Sequence, residues 1–162
     1  MEREQISHLY SRYGPLIYRR CLRLLGNMEK ARDATQEVFV RTLRHAKKLS
    51  SEKESLPWLY TVATNYCLNQ LRDERKLEFR PPEKMPELKK HLDAEKWVAA
   101  RQSLLQLLGG FEPKTQQIVI HALMDGMTQE EISQVMGLSR RTVGKKLKQF
   151  YQVVLELKEK DR

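Results

Sequence analysis

TQEEISQVMGLSRRTVGKKLKQF, residues 128–150, has the sequence pattern of two short helices joined by a tight turn. Thr128 is suited to cap the first helix, and Glu131 follows at the third position of a capping box. Gly137 can adopt the left-handed conformation that ends this helix, and Ser139 can cap the next one. Because these signals occur together and in order, we predict a helix-turn-helix.

The second helix of this pair is predicted to have a basic outer face. Val143, Leu147 and Tyr151 recur at helical spacing and are expected in the core, and no acidic residue occurs between Ser139 and Val154. Basic side chains on a helix in the major groove neutralise phosphates and hydrogen-bond guanine edges. A solvated basic surface on an ordinary helical hairpin is the alternative. The candidate DNA-contacting residues are Ser139, Arg140, Arg141, Thr142, Lys145 and Lys148.

Gly144 is unusual because it interrupts this basic helix. A glycine inside a helix costs about 0.5–1 kcal/mol relative to alanine. We predict that Gly144 lies on the exposed side, where it allows close approach to a DNA backbone.

Three amphipathic helices are predicted in the first half of the chain. The first ends at Gly26, and Asn27 caps the second, which runs to about His45 with an outer face that is polar throughout. KKLSSEKES is predicted to be a loop, and Leu56-Pro57 to open the third helix. The apolar stripes of the three helices contain Leu9, Tyr13, Leu16, Ile17, Cys21, Leu24 and Leu25; Ala31, Ala34, Val38 and Ala46; and Leu59, Val62, Ala63, Tyr66, Cys67 and Leu71.

The stretch RKLEFRPPEKMPELKKHLDAE, residues 75–95, contains three prolines and mixed charges. This composition disfavours both helix continuation and core formation. We therefore predict an all-α fold of two small helical domains, 1–76 and 96–162, joined by a flexible linker at 77–95. No strand signal occurs anywhere in the sequence.

Composition limits the classes of function. The formal net charge of +9 favours polyanionic partners, and no apolar run approaches the roughly 20 residues of a membrane span. The first residues lack a secretory signal, so a cytoplasmic location is expected.

Cys21 and Cys67 are predicted to be buried thiols rather than a disulfide. The four histidines are scattered, and no phosphate loop, metal motif or cofactor motif is present, so we predict neither enzyme activity nor a cofactor.

The segment 9–46, LYSRYGPLIYRRCLRLLGNMEKARDATQEVFVRTLRHA, followed by PWLYTVATNYCLNQLRDERK, resembles region two of the sigma-70 family, in its extracytoplasmic-function group. DATQEVF is the most specific element. The resemblance implies that region four of the same family forms the C-terminal helix-turn-helix. One departure is Gly144, which stands where the family usually has a basic residue after Thr-Val.

The resemblance implies a sigma factor that binds bacterial core RNA polymerase, recognises the minus-thirty-five and minus-ten promoter elements and promotes melting. It also implies an anti-sigma factor as a further candidate partner. Asp33, Gln36 and Glu37 would contact the polymerase. The minus-ten candidates are Trp58, Tyr60, Thr61, Thr64, Asn65, Asn69, Arg72 and Arg75.

Two other functions are compatible with parts of the sequence. A stand-alone helix-turn-helix regulator would usually dimerise and bind duplex DNA without polymerase. An interaction protein, such as an anti-sigma factor, would leave the basic second helix unexplained.

Overall fold

The computed structural model describes residues 3–45, 52–83, 85–86, 88 and 92–160, with the backbone alone at 52–55. Within these residues the protein is all-α, as predicted, and the helices are α1 (Arg3–Leu25), α2 (Met28–Arg44), α3 (Glu52–Asp73), α4 (Ala94–Leu108), α5 (Pro113–Asp125), α6 (Gln129–Met136) and α7 (Arg140–Lys160). The chain divides into two compact units, Met1–Asn69 and Gln70–Arg162.

The helix boundaries follow local signals in most places. Gly26 has a φ of 67°, and its N–H bonds to Leu22 O over 2.8 Å, which ends α1. The side chain of Asn27 accepts a hydrogen bond from Lys30 N over 2.9 Å and caps α2. Both predictions are confirmed.

The predicted start of α3 is wrong. The helix begins at Glu52, so Pro57 lies inside it and residues 52–55 are helical rather than part of a loop. The missing N–H of a proline removes one hydrogen bond near a helix start, and the packing of the following residues outweighs that loss. The predicted inward position of Ala46 lies outside the described residues.

The core of the first unit lies between the apolar stripes of α1, α2 and α3. Cys21 and Cys67 are both buried and free, as predicted. The fully buried side chains here include Ile17, Leu24, Ala31, Ala34, Val38, Leu59 and Ala63.

The second unit contains the three C-terminal helices, α4 and the end of α3. Phe150 is fully buried and packs against Phe111 with a ring-centroid separation of 5.4 Å. Tyr151, predicted to face the core, is only half-buried beside Phe150. α7 continues to Lys160, so most of the charged C-terminal stretch extends this helix.

The prediction that residues 77–95 form no core is wrong. Leu77 and Leu92 are buried, and Leu92 N donates to Leu123 O over 2.8 Å. A Cβ on Gly109 would lie 2.4 Å from the carbonyl carbon of Glu78, so the backbones are in direct contact there. Spaced apolar residues can pack individually against nearby helices of the same unit without forming a helix, which composition does not reveal.

Candidate polymerase- and DNA-contacting surfaces

The outer face of α2 carries the predicted polymerase-contacting residues. Asp33 and Gln36 are exposed and Glu37 is half-buried. Val40 is also exposed, at 41%, three residues after Glu37. The prediction that this face is polar throughout is therefore wrong. The spacing of three residues between Glu37 and Val40 already places the valine on the same face of the helix.

Glu37 is held in place by Arg41, which in turn contacts Tyr66. Its Oε1 accepts a hydrogen bond from Arg41 Nε over 3.2 Å, and the Arg41 guanidinium lies 5.0 Å from the centre of the Tyr66 ring. Burial, followed by the nearby negative charge of Glu37, raises the pKa of Tyr66. The Glu37 carboxylate is thus oriented by a contact that joins α2 to α3.

The outer face of α3 has the composition expected of a single-strand binding surface. Trp58, Thr61, Asn65 and Asn69 are spaced by three or four residues and share this face. Asn65 is exposed and the other three are half-buried. The Thr61 hydroxyl donates to Pro57 O over 3.0 Å. An indole ring can stack on bases, and carboxamides on the same face of the helix can hydrogen-bond base edges.

Two other predicted minus-ten residues lie towards the opposite side of α3. Thr64 is fully buried, and its Oγ1 accepts a hydrogen bond from Arg20 Nη1 over 2.8 Å. Tyr60, one turn earlier, is half-buried, with its ring centre 4.5 Å from the Arg20 guanidinium. Direct contact between Thr64 and a base is incompatible with its burial, so that prediction is corrected.

Arg20 was not predicted from the sequence as a site residue. It is 4% exposed, and burial lowers its pKa from the usual range of a guanidinium to about 10, while Tyr60 acts in the opposite direction. The sequence does indicate that Arg20 is buried. It lies three residues after Ile17 and four before Leu24, on the apolar stripe of α1.

Arg72 and Arg75 belong to the second unit. Arg72 Nε and Nη2 each donate to Gln116 Oε1 over 3.2 Å, and the Gln116 amide nitrogen donates to Leu108 O and Phe111 O. Arg75 is exposed and has a φ of 57°, a left-handed conformation usually taken by glycine at this position after a helix. Sequence reasoning missed Gln116 because this contact spans 44 positions.

The helix-turn-helix forms as predicted. Thr128 Oγ1 accepts from Glu131 N over 3.1 Å, and Gly137 ends α6 with a φ of 67°. Ser139 Oγ accepts from Thr142 N over 3.1 Å and donates to Thr142 Oγ1 over 2.8 Å. All four predicted basic residues of α7, Arg140, Arg141, Lys145 and Lys148, are exposed.

Gly144 does not lie on an open surface, which corrects the predicted exposed position. It is half-buried, and a Cβ on it would lie 2.9 Å from Oε1 of Gln129, the first residue of α6. The neighbouring Lys146 forms an ion pair with Glu112 and is therefore engaged within the second unit.

The described residues contain no group of three His, Cys, Asp or Glu side chains that could hold a metal ion. None of the helices in the described ranges combines the length and hydropathy that a membrane crossing requires.

Comparison with known proteins identifies both units. Residues 9–77 match the family model for Sigma-70 region 2, and residues 101–152 match the model for Sigma-70, region 4. The chain belongs to the sigma-70 family, as a promoter-recognising sigma factor of the extracytoplasmic-function group. The presence of region 2 distinguishes this sigma factor from a stand-alone helix-turn-helix regulator.

Individual relatives agree with this membership. This sigma factor is 27% identical over 165 residues to RNA polymerase sigma factor YlaC of Bacillus subtilis, covering 96% of this chain and 91% of YlaC. It is 33% identical over 63 residues to ECF RNA polymerase sigma factor SigW of Bacillus subtilis, covering 39% of this chain and only 34% of SigW.

The fold is also similar to a solved structure. Sigma factor RpoE from Bartonella quintana, crystallised with the anti-sigma factor NepR, has a TM-score of 0.56 and 16% identity to this chain. The match covers 98% of this chain and 99% of RpoE. At this identity the likeness describes the fold alone.

Proposed function

We propose that this sigma factor binds core RNA polymerase through the outer face of α2 and directs it to promoters through α3 and α7. The observation that carries the proposal is the contrast between two exposed faces. Asp33 and Glu37 place carboxylates on α2, whereas Arg141, Lys145 and Lys148 make the outer face of α7 basic. Carboxylates on α2 can pair with basic groups of a protein partner, while a basic helix suits phosphates.

For the minus-ten element we propose the outer face of α3. Trp58 offers an aromatic surface for an unstacked base, and Asn65 and Asn69 offer carboxamides for base edges. Capturing unpaired bases offsets the few kcal/mol that unstacking costs. Arg72 and Arg75 supply positive charge, and Thr61 lies on the same face of α3 as Asn65. We assign Tyr60 and Thr64 to positioning, through Arg20.

For the minus-thirty-five element we propose α7. Arg141, Lys145 and Lys148 recur at helical spacing on its outer side, as a helix in the major groove requires. Ser139 and Thr142 cap the helix with paired hydroxyls, and Arg140 lies next to them at its first turn. These three residues are suited to phosphates near the groove entrance.

We further propose that the sigma factor has no catalytic activity of its own. Binding one polymerase places both DNA-contacting surfaces at high effective concentration near a promoter. The polymerase then supplies the metal and nucleotide chemistry. The corresponding compartment is the cytoplasm, where polymerase and DNA occur.

An anti-sigma factor is proposed as a regulator, because the RpoE structure contains one. The test is purification of the sigma factor from its native cells, followed by identification of any stoichiometric partner. The expected partner inhibits transcription when it is added back to the purified holoenzyme. A sigma factor that is recovered alone and is fully active from uninduced cells would contradict this proposal.

The test of function uses purified sigma factor, bacterial core RNA polymerase and a library of upstream DNA fragments. Sequencing of run-off transcripts is expected to show start sites downstream of a shared two-part motif. Asn65→Ala and Arg141→Ala are expected to abolish most of these starts. Gln134→Ala, on the exposed side of α6, serves as a control that leaves them unchanged.

Two outcomes of this experiment would contradict the proposed function. If core polymerase stays inactive while the protein alone shifts duplex DNA, the chain acts as a regulator without polymerase. If neither activity is observed, the proposed surfaces of α3 and α7 do not bind promoters.

A further inference from the structure

Gln129 and Gly144 contact each other across the helix-turn-helix. A Cβ built on Gly144 would lie 2.9 Å from Gln129 Oε1, 3.6 Å from its Cδ and 3.8 Å from its Nε2. The first distance is shorter than ordinary van der Waals contact, so the Gln129 carboxamide occupies the space where a side chain at position 144 would begin.

The backbone conformation does not require a glycine at position 144. The glycines with a positive φ in the described part of the chain are Gly26, Gly126 and Gly137, and Gly144 lies within regular α7. Glycine in a helix interior is less favourable than alanine, so Gly144 lowers the stability of α7. A Cβ at position 144 would displace the end of the exposed Gln129 side chain from its present position.

The carboxamide lies at the edge of the basic surface of α7. Arg140 and Arg141 precede Gly144 by one turn and Lys148 follows it by one turn, and all three are exposed. Gln129 is itself exposed at the first position of α6, where the Thr128 cap fixes the local backbone.

We propose that Gln129 is a further DNA-contacting residue, whose carboxamide donates a hydrogen bond to a backbone phosphate beside the minus-thirty-five element, and that Gly144 leaves the space for it. The inference rests on the proposed assignment of α7 to that element.

A phosphate is the favoured target because the first helix of a helix-turn-helix crosses the DNA backbone while the second enters the groove. An amide N–H that donates to an ionised oxygen forms a charge-assisted hydrogen bond. Such a contact positions the recognition helix and carries no sequence information of its own. The contribution of Gln129 should therefore be the same for different minus-thirty-five sequences.

The test measures the affinity of reconstituted holoenzyme for a promoter fragment with a mapped start site, from about 50 to 200 mM salt. The variants are Gln129→Ala, Gly144→Ala, the double variant, Gln134→Ala and Lys145→Ala. Gln134 is the matched control, because it is an exposed glutamine on α6 whose Nε2 donates to Glu130 Oε1. Thermal melting of each variant verifies folding.

Gln129→Ala is expected to weaken binding about tenfold or more, equally for all minus-thirty-five sequences. It should not change the salt dependence, because a neutral side chain releases no counterion. Lys145→Ala should make the slope of log affinity against log salt shallower by about one. Gly144→Ala should weaken binding in the wild-type background and have no effect in the Gln129→Ala background. Gln134→Ala should bind as wild type.

If Gln129→Ala binds the promoter as wild type while Lys145→Ala binds it more weakly, the proposal for Gln129 is wrong. The assignment of α7 to the promoter would still hold. A loss of affinity from Gly144→Ala that is equally large without Gln129 would also overturn the proposal for Gln129. If Lys145→Ala also binds as wild type with an unchanged salt slope, the assignment of α7 to the promoter is wrong.

Discussion

Arg20 Nη1 donates a hydrogen bond to Thr64 Oγ1 over 2.8 Å, and both side chains are buried between α1 and α3. The contact explains why a threonine that follows Tyr60 by one turn faces inward. It also explains how a guanidinium is accommodated in the core, because the hydroxyl and the Tyr60 ring replace part of its hydration.

Arg20→Met is expected to lower the free energy of unfolding by about 1–3 kcal/mol, because it leaves the Thr64 hydroxyl buried without this donor. Adding Thr64→Val should restore most of the loss, since an apolar pair can replace a buried polar one. Urea denaturation of both single variants and the double variant measures the coupling. Strictly additive losses would contradict a direct interaction.

Arg75 offers a test that separates conformation from charge. Arg75→Gly should stabilise the protein by about 1 kcal/mol, because glycine takes the left-handed conformation without a Cβ penalty. Arg75→Ala removes the same guanidinium but keeps the penalty. Urea denaturation is expected to distinguish the two variants, whereas promoter binding should fall equally in both. Unequal promoter binding would show that the backbone, not the charge, matters there.

Glu37→Gln is expected to weaken binding to core polymerase by about fivefold or more while changing stability by less than about 0.5 kcal/mol. The ion pair with Arg41 is partly exposed, and exposed pairs of this kind contribute little to folding. Glu29→Gln, an exposed carboxylate in the first turn of α2, is the matched control. Titration of labelled sigma factor with core polymerase measures both affinities. Equal affinities would place the polymerase contact elsewhere.

Gly109→Ala is expected to destabilise the protein by about 1–3 kcal/mol, because the added Cβ would overlap the backbone of Glu78 and Phe79. Gly110→Ala is the control, since its Cβ would meet the Phe79 ring at 3.0 Å, and a side chain can move aside. Limited proteolysis should show faster cleavage within residues 77–92 in Gly109→Ala. Equal cleavage in both variants would contradict tight packing of Glu78 and Phe79 on Gly109.

Cys21 and Cys67 are expected to be unreactive towards a thiol reagent in the native state and to react fully in urea. Both thiols are buried, and the hydrogen bond between them raises the pKa of Cys67 well above its usual value but lowers the pKa of Cys21, so burial is what protects Cys21. A thiol is far less nucleophilic than its thiolate. Rapid labelling of either cysteine under native conditions would contradict this core.

The sequence by itself determined the all-α fold, most helix boundaries and the helix-turn-helix. These depend on the spacing of apolar residues and on caps such as Asn27, Thr128 and Gly137, whose partners lie within four positions. The same periodicity identified the exposed basic side of α7. Such features are local, so a short window of sequence contains their physical cause.

Only the tertiary structure decided which side chains meet across helices. Periodicity assigns a residue to a face of its own helix, but it does not say what packs on that face. Thr64 is therefore buried beside Arg20, the backbone of Glu78 and Phe79 lies against Gly109, and Gln129 contacts Gly144. Each of these contacts joins residues at least 15 positions apart, and their geometry exists only when the helices pack.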